Sequence, residues 1–449
     1  MKTAEHHRLI DLDLRHVWHP FTQMQVWPDD RPLVIVAGEG NYLIDSDGKR
    51  YLDGVSSLWL NVHGHRKKEI DEAIIEQLGR VAHTTLLGLA SVPSIELATK
   101  LVKVAPAGLS RVFYSDSGST AVEVAMKMAF QYWRQQGRPE KRRFVALEEA
   151  YHGDTLGAVS AGGIELFHEI FRDLLFPVAR IPTPYSYRWP GPGDCATACL
   201  EAAERLFERS AAELAALVIE PLVQGAAGMI TQPRGFLRHL ADLCRRHHVL
   251  LICDEVATGF GRTGTLFAVE QEGVSPDFLC LAKGLSGGYL PLAATLTTDA
   301  VYQAFLAPVG EKKAFFHGHS YTGNPLACAA ALASLDLFEA EKILERAMPV
   351  VRALAAKLAS IAQLEHVGEV RQRGMMVGVE LVADRATKAE YPYADRVGHQ
   401  VCLAARKRGV LLRPLGNVVV LMPPLSLTVS EAEWLGDVVK QSIDEVTLH

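Results

Sequence analysis

Two stretches decide the fold of this chain: LICDEVATGFGRTG at residues 251–264 and FLCLAKGLSGG at residues 278–288. Each follows or contains a short apolar run, 249–253 in one and 278–282 in the other, which is typical of a buried strand. Asp254 ends the first run and Lys283 follows the second, 29 residues later. That interval is long enough for a crossover, so the sequence predicts two neighbouring strands.

In open α/β sheets, ligands bind beyond the carboxyl ends of the strands. A lysine and an aspartate at that place fit one chemistry in particular. The lysine is an amine that forms a Schiff base, and the aspartate keeps a ring nitrogen protonated, as pyridoxal phosphate requires. Taken singly, Lys283 also fits a solvated strand end and Asp254 a helix cap, so the interpretation depends on the rest of the chain.

The composition is that of an ordinary globular protein: 449 residues, 49% hydrophobic, 22% charged, with a net charge of −6. The charges form no basic stripe, which argues against a nucleic-acid partner. The amino terminus lacks an apolar core, and the longest apolar stretch, 326–335, is too short to cross a bilayer, so we expect no signal peptide and no membrane partner. Seven scattered cysteines without a paired CxxC motif indicate a reducing cytoplasm. His63 and His65 have no third ligand at metal spacing, so we expect them to be structural.

The order of the predicted elements divides the chain into three parts. Between residues 66 and 330, helices alternate with apolar strands, the signature of a mostly parallel sheet covered by helices on both faces. Residues 331–449 show helices around strands and predict a smaller α+β domain. Residues 1–65 contain an irregular, aromatic-rich arm (1–33) and a hairpin at Asp47-Gly48, which we expect to pack with the small domain. The predicted fold class is therefore α/β with a smaller α+β domain.

Polar motifs follow several of the predicted strands, and one precedes a helix. They are DSGST at 116–120, YHGDT at 151–155, EPLVQG at 220–225 and GHSYTGNP at 318–325. The first opens a helix whose free N–H groups suit a phosphate, although serine and threonine also favour ordinary N-caps. Tyr151 can stack on a flat ring. Each motif has an ordinary structural explanation, but their joint occurrence at one sheet edge predicts a ligand site.

With these motifs, the block 254–264 (DEVATGFGRTG) and Lys283, the chain resembles the class III (ω-) aminotransferases of pyridoxal phosphate fold type I. The resemblance covers nearly the whole chain. It implies a pyridoxal-phosphate-dependent transaminase with a ping-pong cycle, acting as a homodimer with shared active sites. WHPFTQM at 18–24, SSLW at 56–59, LRPLG at 412–416 and LMPP at 421–424 resemble the branch that aminates 8-amino-7-oxononanoate in biotin biosynthesis.

The resemblance also implies a role for individual residues. Lys283 resembles the Schiff-base lysine, Asp254 the partner of the pyridine nitrogen, and Tyr151 the residue beside the ring. The implied cofactor-binding residues are Ser117, Gly118, Ser119, Tyr151, His152, Glu220, Asp254, Val256, Lys283 and Ser320, of which Ser320 would reach the phosphate in the other subunit. The implied substrate-binding residues are Phe21, Leu58, Trp59, Tyr151, Gly318 and Arg413, with Arg413 gripping a carboxylate. No metal is implied.

The amino donor stays open between S-adenosylmethionine and lysine. Members of the branch that use S-adenosylmethionine typically carry tyrosine where Phe21 stands and a second tryptophan where Leu58 stands. A sulfonium donor would lose a polar contact and a cation–π partner here, which favours lysine. 

Three alternatives compete with this interpretation. They are an ω-amino acid:pyruvate aminotransferase, a ligand-sensing protein of the same fold, and an unrelated α/β enzyme. WHPFTQM with the LRPLG and LMPP motifs argues against the first. The 33-residue arm is too short for a DNA-binding domain, which argues against the second together with the intact Lys283 and Asp254 pair. The third predicts a protein that never takes up pyridoxal phosphate.

Overall fold

The computed structural model describes residues 3–30 and 32–448. The strands Leu250–Asp254 and Phe278–Leu281 lie side by side in parallel, with Ile252 opposite Phe278 and Asp254 opposite Cys280. Both strands are buried along their whole length. The predicted neighbouring strands are thus confirmed, and Asp254 and Lys283 leave the sheet at the same edge.

Within the described residues, these strands belong to a seven-stranded sheet. Its members, in spatial order, are Leu109–Ser115, Ala293–Thr298, Phe278–Leu281, Leu250–Asp254, Leu214–Ile219, Arg143–Leu147 and Val178–Ile181. Neighbours from the third to the seventh strand are parallel, whereas Ala293–Thr298 is antiparallel to both of its neighbours. The mostly parallel sheet is therefore confirmed.

Side chains of the central strands alternate between two apolar clusters, one on each face of the sheet. Ile252 and Phe278 pack with the helix Gly118–Gln135, while Leu251 and Leu279 pack with the helix Phe236–Arg246. This period of two buries both faces, as expected for a parallel sheet. The α-helices of residues 66–330 are Lys68–Leu78, Val92–Val104, Gly118–Gln135, Leu156–Ala161, Glu165–His168, Cys195–Ser210, Phe236–Arg246, Asp299–Gln303 and Pro325–Ala340, of which the last continues beyond residue 330.

Short 3₁₀-helical turns and a small ribbon complete the connections. The turns are Glu169–Leu174, Ser186–Arg188, Ala268–Glu272, Lys283–Ser286, Val309–Glu311 and Tyr393–Asp395, and the ribbon pairs Val223–Gln224 with Ile230–Thr231. Across residues 3–30 and 32–448, no helix combines the length and the apolar character needed to cross a membrane.

The carboxyl-terminal part contains the predicted mixture of strands and helices. An antiparallel sheet has the order Val367–Arg373, Met376–Leu381, Val418–Leu421 and Arg413–Leu415. Its helices are Ile343–Ile361, Val397–Lys407 and Val429–Thr447. Arg371 ties this sheet to the turn of the ribbon Val223–Gln224/Ile230–Thr231: it is buried, pairs with Glu380 of its own sheet at 2.5 Å, and donates to the carbonyl of Gly228 in that turn at 2.8 Å.

The amino-terminal part corrects one prediction and confirms another. The arm is not irregular throughout, because Thr3–His16 forms a helix; residues 1, 2 and 31 of the arm lie outside the described residues. His6, Leu9, Ile10 and Asp13 are among its less exposed positions, at helical spacing. The aromatic content of the following segment obscured this pattern. The Asp47-Gly48 hairpin is confirmed and forms part of a four-stranded sheet.

That sheet contains strands from the amino-terminal and the carboxyl-terminal parts of the chain. Its order is Ile35–Glu39, Tyr42–Asp45, Arg50–Asp53 and Val410–Leu411. The first three strands are antiparallel, and Arg50–Asp53 runs parallel to Val410–Leu411, with Leu52 opposite Val410. Residues of the amino-terminal part and of the carboxyl-terminal part therefore share one sheet. The domain boundaries given above stay a prediction.

His63 and His65 make structural contacts. His63 Nε2 lies 3.0 Å from Ser334 Oγ, and His65 Nε2 lies 3.0 Å from Asp53 Oδ2. The ring of His63 also meets Phe338 edge-on, with 5.3 Å between ring centroids. Burial lowers the pKa of His63 from 6.5 to about 3. His63 is therefore neutral in the folded protein at any physiological pH.

Acid should destabilise the fold through His63. Because its folded pKa is lowered, the unfolded chain binds the extra proton between pH 6.5 and about 3. Stability contributed at neutral pH is thus lost as pH falls through this window, by about 2 kcal/mol at pH 5. His63→Gln does not titrate, so the difference in unfolding free energy between pH 7.5 and pH 5, from denaturant titration, should shrink by about that amount. His7→Gln, at an exposed position, is the matched control; an unchanged difference in His63→Gln would contradict the assignment.

Candidate active site

The strands of the large sheet bring three of the four predicted motifs, those at 116–120, 151–155 and 220–225, to one cavity of about 670 Å³. Each of these three follows the carboxyl end of a strand, where the ends of parallel strands leave a crevice. Of the residues predicted from the sequence, those that line the cavity are Trp59, Ser117, Gly118, Ser119, Tyr151, His152, Glu220, Asp254, Val256 and Lys283. The fold thus brings together residues from 59 to 283 around one space.

Lys283 occupies the turn that follows the strand Phe278–Leu281. Its φ is 44°, a left-handed conformation that is uncommon for lysine and that occurs where surrounding structure imposes it. Its Nζ lies over the ring of Trp59, 5.4 Å from the centroid. Burial lowers the pKa of the ammonium group, although the carboxylates of Asp254 and Glu220 oppose this effect. The side chain opens towards the cavity, so the amine is accessible to a ligand there.

Asp254 is fixed by protein contacts on two sides. Its Oδ2 lies 2.8 Å from Nδ1 of His152, and its Oδ1 accepts the N–H of Val256 at 3.0 Å. Both Asp254 and His152 are buried. His152 Nε2 is buried without a hydrogen-bond partner among the described residues. A carboxylate held in this way, beside a cavity, can bind a protonated ring nitrogen without moving.

Glu220 organises the backbone of the neighbouring loops. Its Oε1 accepts the N–H of Gly225 at 2.9 Å and its Oε2 accepts the N–H of Tyr151 at 3.2 Å. Burial raises the pKa of Glu220 to about 7, with Asp254 acting in the same direction and His152 opposing. A second full negative charge is thus disfavoured beside Asp254.

The helix Gly118–Gln135 points its amino terminus at the cavity. Ser117 caps it: its Oγ accepts the N–H of Thr120 at 3.3 Å, and Thr120 Oγ1 accepts the N–H of Ser117 at 3.1 Å. A Cβ on Gly118 would lie 2.5 Å from Val256 Cγ1, so only glycine fits there. Free N–H groups, small side chains and the positive end of the helix dipole form an anion cradle.

Tyr151 lies beside this cradle. Its hydroxyl donates to Asp154, 2.9 Å from either carboxylate oxygen, and burial raises its pKa. Arg413 lies close enough to Tyr151 for their charges to interact, and burial lowers the pKa of the guanidinium. Arg413 starts the strand Arg413–Leu415 and does not itself line the cavity. Arg413 is thus a cation near Tyr151 that lies outside the cavity lining.

Four other predicted residues do not line this cavity: Phe21, Leu58, Gly318 and Ser320. All four are exposed. Leu58 lies in a left-handed turn, φ 76°, that directs Trp59 inwards. The Gly318–Ser320 loop lies at the cavity rim, because His319 Nδ1 is 2.8 Å from Oδ2 of Asp116.

Other residues line the cavity but were not predicted from the sequence. Asp154 belongs to the YHGDT motif, so its contact with Tyr151 could have been inferred. Ser286 and Tyr289 lie just beyond Lys283, and proximity to that lysine was the available signal. Among residues 3–30 and 32–448, no cluster of histidine, cysteine, aspartate and glutamate has the arrangement of a metal site.

Comparison with known proteins places these features in a family. A family model described as aminotransferase class-III matches residues 24–443. An adenosylmethionine-8-amino-7-oxononanoate aminotransferase of Geobacter sulfurreducens is 57% identical, over 98% of both chains. The crystal structure of a protein of that name from Methanocaldococcus jannaschii has a TM-score of 0.94 at 46% identity, covering 98% of this chain and 99% of that one. The ω-transaminase of Pseudomonas jessenii in complex with PMP has a TM-score of 0.93 at 31% identity, covering 98% of both chains.

These similarities run along almost the whole chain, including both strand ends that deliver Asp254 and Lys283. The alternatives of an unrelated α/β enzyme and of a ligand-sensing protein are thereby set aside, and pyridoxal phosphate is the cofactor. The anion cradle and the fixed carboxylate agree with a cofactor that carries a phosphate and a protonated ring. The chain belongs to the class III aminotransferases, the pyridoxal-phosphate-dependent transaminases of fold type I.

Proposed function

We propose that this transaminase transfers an amino group to 8-amino-7-oxononanoate and forms 7,8-diaminononanoate, a step of biotin biosynthesis. The observation that carries the proposal is the 57% identity with the Geobacter relative whose name contains this substrate. Fold alone does not discriminate, because an ω-transaminase superposes nearly as well. The motifs at 18–24, 412–416 and 421–424 support the biotin-pathway substrate over the ω-amino acid:pyruvate alternative.

The residues around the cavity would hold the cofactor at three points. The helix terminus at Ser117, Gly118 and Ser119 would bind its phosphate through backbone N–H groups. Asp254 would keep its ring nitrogen charged, because an opposite charge raises the pKa of that nitrogen. Lys283 Nζ would bind it covalently. When bound, pyridoxal phosphate supplies an electrophilic carbonyl carbon and a ring that accepts electrons.

Lys283 has a second proposed task, the movement of a proton. As a free amine, its Nζ would take the proton from the substrate carbon that carries the nitrogen and later return one. This needs a neutral amine, and burial lowers the pKa of Lys283 in that direction. Trp59, over which Nζ lies, would exclude water from that side of the amine.

Arg413 is the proposed partner of the substrate carboxylate. 8-Amino-7-oxononanoate carries its carboxylate at the far end of an aliphatic chain, so a cation at the cavity border, beyond Tyr151, suits its length. The guanidinium forms two parallel hydrogen bonds to a carboxylate, which an ammonium does not. The partial burial of Arg413 strengthens this attraction, because less water screens it.

We also propose that the protein acts as a homodimer in which Gly318 and Ser320 complete the partner's site. Both are exposed and stand outside the cavity of their own chain. His319, between them, is held by Asp116, which lines that cavity. His319 would therefore hold the loop against the site of its own chain, while Gly318 and Ser320 face a second subunit.

Lysine is the proposed amino donor. Phe21 and Leu58 are both exposed and apolar; Phe21 offers no hydroxyl and Leu58 offers no aromatic surface to a sulfonium group. The names of the relatives contain adenosylmethionine. A half-reaction with each donor distinguishes lysine from S-adenosylmethionine.

Purified protein loaded with cofactor should aminate 8-amino-7-oxononanoate with lysine as donor. In the first half-reaction, lysine should remove the visible cofactor band much faster than S-adenosylmethionine does, because Phe21 offers no hydroxyl and Leu58 no aromatic ring to the sulfonium. Phe21→Tyr with Leu58→Trp should raise the S-adenosylmethionine rate. Conversion by S-adenosylmethionine and not by lysine would refute the donor, and faster amination of pyruvate than of 8-amino-7-oxononanoate would refute the substrate.

Replacing Lys283 should abolish both covalent attachment and turnover. In the wild type, borohydride reduction should leave the cofactor mass on the peptide that contains Lys283, as seen by peptide mass mapping. Lys283→Ala should lose that mass and at least about a thousandfold in kcat. Lys68→Ala, on an exposed helix surface, is the control and should match the wild type; a retained mass in Lys283→Ala would overturn the assignment.

Enlarging Gly118 should weaken cofactor binding without unfolding the protein. The new Cβ of Gly118→Ala would collide with Val256 and displace the helix terminus, so affinity for pyridoxal phosphate should fall by about tenfold to a hundredfold in a spectroscopic titration. Adding Val256→Ala should restore much of it by removing the collision. Gly310→Ala, where a Cβ meets nothing within 4 Å, is the control; an unaffected Gly118→Ala would exclude the cradle.

A further inference from the structure

Phe167 stands between the amino-terminal arm and the active site. Its ring meets that of Phe21 edge to face, at 5.3 Å and 73°, and that of Tyr151 at 6.3 Å and 80°. Both geometries fall within the range that aromatic pairs favour. Phe21 and Tyr151 are 130 residues apart in the sequence, and Phe167 is the ring that connects them.

The segment that carries Phe167 is anchored through His168. Phe167 lies in the short helix Glu165–His168. The next residue, His168, is buried and lies parallel to Tyr151, at 6.3 Å and 8°. The space around His168 is full, since a Cβ on Gly162 would lie 2.2 Å from its ring. Phe167 therefore lies next to a buried residue and places its ring beside Tyr151.

The arm carries Phe21, the more exposed partner of this contact. Phe21 is 56% exposed and adopts a φ of 51°. The arm is anchored at its other end to the helix Val397–Lys407, where Asp30 pairs with Arg396 at 2.6 Å and with His399 at 3.0 Å. Between these points, the edge-to-face contact of Phe21 with Phe167 joins the arm to the large sheet's side of the site.

We propose that Phe167 is a positioning residue that strengthens binding of the amino donor by holding Phe21 near Tyr151. It acts through Phe21 and Tyr151 and does not contact the reacting atoms. The proposal rests on the proposed function in one respect: Phe21 must face the donor. The arm contact itself does not depend on which substrate the enzyme uses.

A double-mutant cycle tests the effect on donor binding. Phe167→Leu and Phe21→Leu should each raise the apparent dissociation constant of the donor, measured in the lysine half-reaction, by about two- to tenfold. The double variant should resemble the worse single variant, because both substitutions remove the same contact. In Phe167→Leu, the maximal rate of the half-reaction and the cofactor spectrum should stay close to those of the wild type, a separation that a general structural defect would not give.

Two further variants control this cycle. Phe167→Tyr keeps the ring and should behave like the wild type. Phe171→Leu makes the same change at a half-exposed phenylalanine without a ring partner among the described residues, and it should leave donor binding unchanged. Additive effects in the double variant, or equal effects of Phe167→Leu and Phe171→Leu, would overturn the proposal.

Hydrogen exchange of the cofactor-loaded protein separates this proposal from the proposed function. Peptides covering residues 17–30 should exchange faster in Phe167→Leu than in wild type or Phe171→Leu, whichever substrate the enzyme uses. If the wild type fails to aminate 8-amino-7-oxononanoate but this exchange difference is present, the substrate assignment fails while the arm contact stands. If exchange in residues 17–30 is the same in all three proteins, the positioning role of Phe167 is refuted.

Discussion

The structure depends on the register between two buried parallel strands. Asp254 pairs opposite Cys280, three residues before Lys283, so the carboxylate and the amine emerge at one edge of the sheet. A slip by one residue would exchange the side chains of the two apolar clusters, because alternate residues face opposite sides. Ile252 and Phe278 would then leave the cluster of the helix Gly118–Gln135. Core packing therefore fixes the distance between the two charged groups without any help from a ligand.

That placement explains the electrostatics of the site. Burial disfavours the charged form of acidic and basic groups alike. It raises the pKa of Glu220 to about 7 and lowers the pKa of Lys283. Asp254 keeps an orienting partner in His152 and the N–H of Val256. The cavity thus offers one fixed carboxylate at its base and N–H groups at the helix terminus beside Gly118. A ligand with a cationic ring and an anionic group matches both, which is the charge pattern of pyridoxal phosphate.

Sequence reasoning located the residues that strand ends deliver, because parallel strands must end at a common edge. It missed elements whose hydrophobic pattern is weak. Val178–Ile181 contains an arginine and Ala293–Thr298 is mostly alanine and threonine, so neither reads as an apolar strand. The helix Thr3–His16 was masked by the aromatic segment after it. The role proposed for Phe167 could not be predicted from the sequence, because its contacts with Phe21 and Tyr151 exist only in the tertiary fold.

Two of the proposed substrate contacts, Phe21 and Arg413, come from a different part of the chain than the cofactor contacts. Arg413 starts a strand that pairs with Val418–Leu421, and the arm that carries Phe21 is anchored through Asp30 to the helix Val397–Lys407. That helix packs against the strand of Arg413. The arm and Arg413 therefore share one support, whereas Lys283, Asp254 and the helix terminus belong to the large sheet. Substrate preference can then change through the arm and the small sheet while the cofactor site keeps its geometry. Phe167 lies beside Tyr151, on the large sheet's side, and its contact with Phe21 links the two parts.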